Sequence, residues 1–251
     1  MLLSPEEIIS KSWRDYVKNW HDWAIYSLIL FIPGFVLVLS GSFGGYLNTS
    51  FPATSLPTNI IILLLVIASA VMWFWSYLAL THAIGKYLKV KETDHWKEHY
   101  TASLGFFWPA IFVSIIKGAL VIVGTLFFLV PGIIFSVWYA FIIFGVVHFG
   151  ERGWAAMKSS KELVRGRWWG VTWRLVLPMV VFGVGVALAN ALSLLLLSFL
   201  PLTSESNALL GNVVSSLFTA VFTPLTTIAV MNLYFNLKEN PVEEILPMPV
   251  S

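Results

Sequence analysis

Residues 104–149 read LGFFWPAIFVSIIKGALVIVGTLFFLVPGIIFSVWYAFIIFGVVHF, 46 positions with a single charged side chain, Lys117. A bilayer core of ~30 Å takes roughly 20 helical residues per crossing, so this stretch is too long for one span and fits two. The strongest breaker near its middle is Pro131-Gly132. These two residues predict either a tight hairpin turn or a kinked short span.

Outward from that pair, further apolar runs fall at 24–47, 58–85, 169–200 and 207–236. Six transmembrane helices follow, in a single domain over 1–238, with a Pro-rich, disordered tail expected at 239–251. The run at 169–200 exceeds a perpendicular crossing, and Pro178, Gly183 and Gly185 allow it to kink or tilt. Composition agrees with this class: 58% of the 251 residues are hydrophobic and 11% charged, too few charges to cover a soluble globule. The polar stretches between runs are too short to fold as a separate catalytic domain. With no cysteine, disulfides, thiol chemistry and thiolate metal sites are excluded. Residues 1–22 are polar and amphipathic and lack the order of a secretory leader, so no cleavable signal is expected.

Thirteen of the 15 Lys and Arg residues cluster at 11–18, 86–97, 152–167 and 238, whereas the intervening loops near 40–57, 131–132 and 201–206 hold none. The positive-inside rule then places both termini in the cytoplasm. Trp13, Trp20 and Trp23, with Trp168, Trp169 and Trp173, form an aromatic belt at the same interface. The start Ser4-Pro5-Glu6-Glu7 is a capping box, after which Ile9, Trp13, Tyr16 and Trp20 share a helical face. Similar amphipathic segments stand at 94–103 and 154–167. Each of spans 1, 3 and 5 is therefore expected to follow a cytoplasmic interfacial helix. The chain reads as three such helix-and-hairpin units, either degenerate repeats or independent surface helices.

Few residues carry candidate chemistry. His95-Trp96-Lys97-Glu98-His99 matches the inverted zinc-protease pattern, but its loop is too short to add a third ligand and a cleft, so no metal or cofactor is expected. Lys117 lies about 13 Å beyond Trp108 at 1.5 Å per residue. It is either a snorkelling anchor or an interior cation facing His82, His148, Glu151 or a lipid phosphate. Its helix face is small and polar, with Ala110, Ser114, Val121 and Gly124. Arg174 repeats the geometry at shallower depth. Lys158, Lys161, Arg165 and Arg167 form a basic surface suited to phosphate. Gly183, Ala187 and Ala191 make one small-residue stripe for helix packing, and Gly185, Ala189 and Ser193 a second. Thr223, Thr226 and Thr227 surround Pro224 and are expected to help satisfy carbonyls freed at its kink. No span has Asp or Glu at its centre, against a carboxylate-driven pump. No nucleophile elbow or phosphate loop is present, and nucleic acid is not an expected partner.

Between 118 and 180, an apolar helix leads into Phe128-Leu129-Val130-Pro131-Gly132-Ile133-Ile134. A second apolar helix ends near Val147 and Glu151, followed by Ala156-Met157, Ser160, Leu163, Gly166 and Trp168. This quarter of the chain resembles the membrane-domain family of glycerophosphodiester phosphodiesterases, which also occurs as stand-alone six-span proteins. His148 stands near a position where that family often has an acid. The His-Arg-Gly opening and paired acidic metal ligands of the family's catalytic domain have no counterpart here, so catalysis is not implied. The resemblance implies a bacterial or archaeal cytoplasmic-membrane protein in lipid or envelope biology. The leading expectation is a non-enzymatic protein that binds or organises phospholipid. The alternatives are a transporter or substrate-binding subunit with a cavity near Lys117, and a scaffold that docks another membrane protein or itself.

Overall fold

In the computed structural model the described residues are 2–50, 55–91 and 95–241, side chains at 43–50 and 55–56 excepted. They form helices and no strand: α1 (Pro5–Lys18), α2 (Trp20–Ser50), α3 (Ser55–Val90), α4 (Trp96–Phe127), α5 (Leu129–Trp138), α6 (Ile142–Phe149), α7 (Gly153–Val164), α8 (Trp168–Ser198) and α9 (Ser204–Glu239). Six segments are long and apolar enough to cross a bilayer: α3, α4, α8 and α9, part of α2, and α5 with α6 together. Their outward faces carry large apolar side chains. Ile60, Ile61 and Leu64 on α3, and Leu188, Leu192 and Leu196 on α8, are all more than half exposed. Such continuous apolar surface needs hydrocarbon rather than water around it.

The chain divides into two compact units. The first comprises Met1–Lys11, Phe106–Pro178 and Ala229–Ser251, and the second Ser12–Gly105 and Met179–Ile228. In the first, Phe141, with Phe144 and Phe149 of α6, packs around Tyr234 of α9, with ring centroids 5.6–6.1 Å from that of Tyr234. In the second, α2 and α3 pack together as neighbours in sequence, and Trp23 meets Tyr87 edge-on at 5.7 Å.

The capping box forms as its spacing dictates. Ser4 N–H donates to Glu7 Oε2 at 2.7 Å, and Glu7 N–H donates back to Ser4 Oγ at 3.2 Å. These bonds satisfy two donors that the first turn of α1 leaves open. The buried stripe of α1 is Ile8 and Ser12, whereas Trp13 and Trp20 are more than half exposed. Among the described residues no separate helix precedes span 3; Asp94, the first residue of the expected segment, lies outside them. From Trp96 onward, the segment expected to lie in the interface is the opening of α4 itself. No Pro or turn sequence interrupts it before Pro109, and Tyr100 and Ser103 are drawn inward by Trp75. Among the described residues, α1 and α7 are therefore the distinct helices ahead of a span.

The hairpin between spans 3 and 4 turns at Phe128, three residues before the position expected from Pro131-Gly132. Phe128 is extended (φ −160°, ψ 148°), and Pro131 and Gly132 lie in the opening of α5. There proline costs little, because first-turn amides have no intrahelical acceptor. Gly132 acts in packing: a Cβ at that position would run into Thr125 Oγ1 and lie 3.0 Å from the Thr125 backbone nitrogen. Pro178 is accommodated inside an unbroken α8. Around Pro224 the threonine hydroxyls bond the carbonyls of Thr219 and Thr223, not the Ala220 carbonyl that a residue with an N–H at 224 would serve. Beyond the end of α9, residues from 242 onward in the expected tail lie outside the described residues.

Candidate functional site

Span 4 is discontinuous. Helix α5 stops at Trp138, Tyr139–Phe141 form a turn, and α6 resumes at Ile142. A break inside a span leaves backbone groups that lipid cannot satisfy. Here α7 supplies the missing partner. The Ser160 hydroxyl donates to Trp138 O at 2.7 Å and accepts from Phe141 N–H at 3.2 Å. Ala156, Met157, Ser160 and Val164 are buried, so this face of α7 packs into protein rather than resting on a membrane surface. At its end the chain can reverse because Gly166 adopts φ +76°, a region costly for residues with a Cβ. Likewise Gly150, at φ +66°, closes α6.

Beside α7 and the last turn of α9 lies a cavity of about 770 Å³, whose walls include Arg165, Arg167 and Lys238, one acid, Glu162, and Leu163 and Leu237. The basic residues around it differ in how they are engaged. Arg167 donates from Nε to Leu163 O at 2.9 Å, from one terminal nitrogen to Leu237 O at 3.1 Å, and from the other to Asn240 O. It thus caps the exposed carbonyls of α9. Burial, and next the nearby charge of Arg174, lower its pKa from the usual arginine value. At neutral pH the group still stays charged. Lys238 reaches Glu151 Oε1 at 3.4 Å and lies 4.1 Å from the Phe149 ring centre. Ser159 also donates to Glu151, at 2.8 Å. Lys158 makes only a solvated 3.9 Å pair with Glu162, and Lys161 sits 4.2 Å from the Trp138 ring centre. Arg165 is exposed, and no described residue bonds its guanidinium. Two buried atoms, Glu151 Oε2 and the Tyr234 hydroxyl, have no protein hydrogen-bond partner. Such orphans call for an ordered water or a ligand atom.

Lys117 is half-buried within α4, and no described residue pairs with it. One turn earlier, Ser114 Oγ is buried and also unpartnered. Two of the anions or imidazoles expected near Lys117 are engaged elsewhere: His82 with His99, their Nδ1 atoms 2.9 Å apart, and Glu151 with Lys238 and Ser159. His148 lies against Phe235, with ring centroids 5.9 Å apart. Arg174 secures the N-terminal segment, donating from Nε to Leu3 O at 2.7 Å, while Leu3 N–H donates to Asn236 Oδ1 at 2.9 Å.

Of the two small-residue stripes on α8, the half-buried one packs inward. A Cβ at Gly185 would meet Phe222 at 3.6 Å. Gly183, Ala187 and Ala191 instead face outward, and nothing lies within 4 Å of a Cβ placed at Gly183. The expected packing along that stripe is therefore not made among the described residues. Ser160 and Asn236 emerge as connectors. The partner of Asn236, the Leu3 backbone amide, carries no side-chain signature. Among the described residues no group of three or more His, Cys, Asp or Glu side chains could hold a metal ion.

The six apolar segments among the described residues give the class, a multi-pass helical membrane protein. No family model, curated protein or solved structure matches the chain.

Proposed function

We propose that this is a non-enzymatic integral membrane protein that binds or organises anionic phospholipid, with both termini in the cytoplasm of a bacterial or archaeal cell. The observation that carries the reading is the cavity of about 770 Å³ whose walls join Arg165, Arg167 and Lys238 to Leu163 and Leu237. Its cations suit a phosphate and its leucines an adjoining glycerol or acyl carbon. Arg165 is the cation left open for that contact. The resemblance of residues 118–180 to the phosphodiesterase membrane domain supports a role in lipid biology and brings no catalytic residues.

A basic residue near an anionic surface contributes about 1 kcal/mol. Arg165→Ala is therefore expected to lower phosphatidylglycerol retention about 5-fold, and Arg165→Glu about 30-fold. Native mass spectrometry of protein released from mixed-lipid nanodiscs measures the ratio to phosphatidylethanolamine. An unchanged ratio in both variants sinks the proposal.

A second reading, a transporter or substrate-binding subunit, is favoured by the unpaired Lys117 and by the broken span 4, since discontinuous helices often line substrate sites. It predicts anion flux in proteoliposomes that Lys117→Met reduces at least tenfold. Flux indifferent to that change removes this reading.

A further inference from the structure

We propose that a second cavity, formed by the start of α2, the C-terminal part of α3 and the start of α4, binds a small organic ammonium group. All three segments belong to the second compact unit. The cavity encloses about 190 Å³, and its walls include Asp22, Trp23, Tyr26, His95, Trp96 and His99. A lone water needs only ~10–15 Å³ on a comparable measure, so the space accepts an organic group.

The chemistry of the walls selects the charge of the guest. Trp23, Tyr26 and Trp96 line the space together with the imidazoles of His95 and His99 and one carboxylate, Asp22, and no Lys or Arg is among the lining residues. The Asp22 carboxylate, in the first turn of α2, has no hydrogen bond or ion pair with a side chain of any described residue. An anion would meet that charge. A bare metal ion would want a set of three or more ligating side chains, which the described residues do not assemble. A neutral apolar guest would leave the carboxylate facing hydrocarbon. An ammonium group satisfies both the rings and the acid.

The rings are held in place before any guest arrives. Trp23 is 1% exposed and Tyr26 3%. Trp23 packs edge-on to Tyr87, and Tyr26 stacks on Tyr100 at 6.2 Å with the planes 8° apart. His99 is tied to His82. Such preorganisation removes part of the ordering cost of binding. The Lys97 ammonium rests 5.6 Å from the centre of the Trp96 ring, so a guest ammonium competes with it for that ring.

The ammonium could arrive on a phospholipid head group, choline or ethanolamine, or as a free amine, and the test separates these sources. In one arm, full-length protein in phosphatidylglycerol nanodiscs is titrated calorimetrically with choline and with 3,3-dimethylbutanol, its uncharged isostere. In the other, carried out in the Arg165→Glu background so that the basic cavity no longer favours phosphatidylglycerol, native mass spectrometry follows retention of phosphatidylcholine and phosphatidylethanolamine against phosphatidylglycerol. Saturable choline binding at least tenfold tighter than the isostere supports the site, as does enrichment of the ammonium lipids. Either signal is expected to fall about tenfold in Asp22→Asn and Trp96→Ala, and to persist within a few-fold in Trp96→Phe, which keeps a π face. Choline binding without lipid enrichment assigns a free amine, and lipid enrichment lost in both variants assigns the head group. Equal binding of choline and its isostere overturns the proposal, as does a signal unchanged in both Asp22→Asn and Trp96→Ala. Absence of binding in both arms of the folded wild-type protein overturns it as well.

Discussion

Replacing Ser160 by valine is expected to lower the thermal midpoint of the detergent-solubilised protein by roughly 10 °C. The valine is about one methyl larger than the native side chain and removes both bonds that bridge the gap in span 4, to Trp138 O and from Phe141 N–H. Each buried group left without a partner costs ~1–3 kcal/mol. Together they amount to about 3 kcal/mol, and in a chain of this size 1 kcal/mol moves the midpoint by ~2–4 °C. Ser160→Thr restores a hydroxyl and should recover most of the loss, which separates the hydrogen bonds from crowding. A midpoint unchanged in Ser160→Val would show that the break in span 4 does not depend on this residue.

Gly132→Leu is expected to be comparably damaging, through packing alone. The glycine sits where α5 comes against α4, with the Thr125 backbone nitrogen 3.0 Å from any added Cβ. A flexible side chain could rotate away, but backbone cannot. Accommodating even a methyl therefore moves one helix off the other, and overpacking of this kind costs ~1–3 kcal/mol and occasionally more. Thermal unfolding is expected to shift down by several degrees for Gly132→Ala and by roughly 10 °C for Gly132→Leu. Equal midpoints for wild type and Gly132→Leu would exclude the contact. Gly118, on the same helix α4 but with open space around its Cβ position, supplies the control: Gly118→Ala should be close to neutral.

Span count was legible because hydrocarbon imposes one coarse requirement, a long apolar run, which residues 104–149 announce without help from tertiary contacts. Local signals with local partners were also readable, as Ser4 and Glu7 show. What failed to show were features whose cause lies far along the chain. Pro131-Gly132 was read as a turn because both residues break helices, yet proline is tolerated in a first turn and the glycine is explained only by Thr125 on another helix. The break after Trp138 has no Gly or Pro to mark it, since Ser160, 22 residues on, compensates the backbone. The small-residue stripes of α8 look alike in sequence and differ in what faces them. At the candidate cavity the cluster of Lys and Arg was readable as charge. Which of those cations remains open was not, because Arg167 is consumed by carbonyls at the end of α9 that leave no trace in composition.

The bridge from Ser160 also ties the shape of span 4 to the segment that follows it. The carbonyl of Trp138 and the amide of Phe141 share a partner that belongs to α7. Backbone groups facing lipid without such a partner are served by an unbroken helix. The opened form of the span and the docked form of α7 therefore stand or fall together.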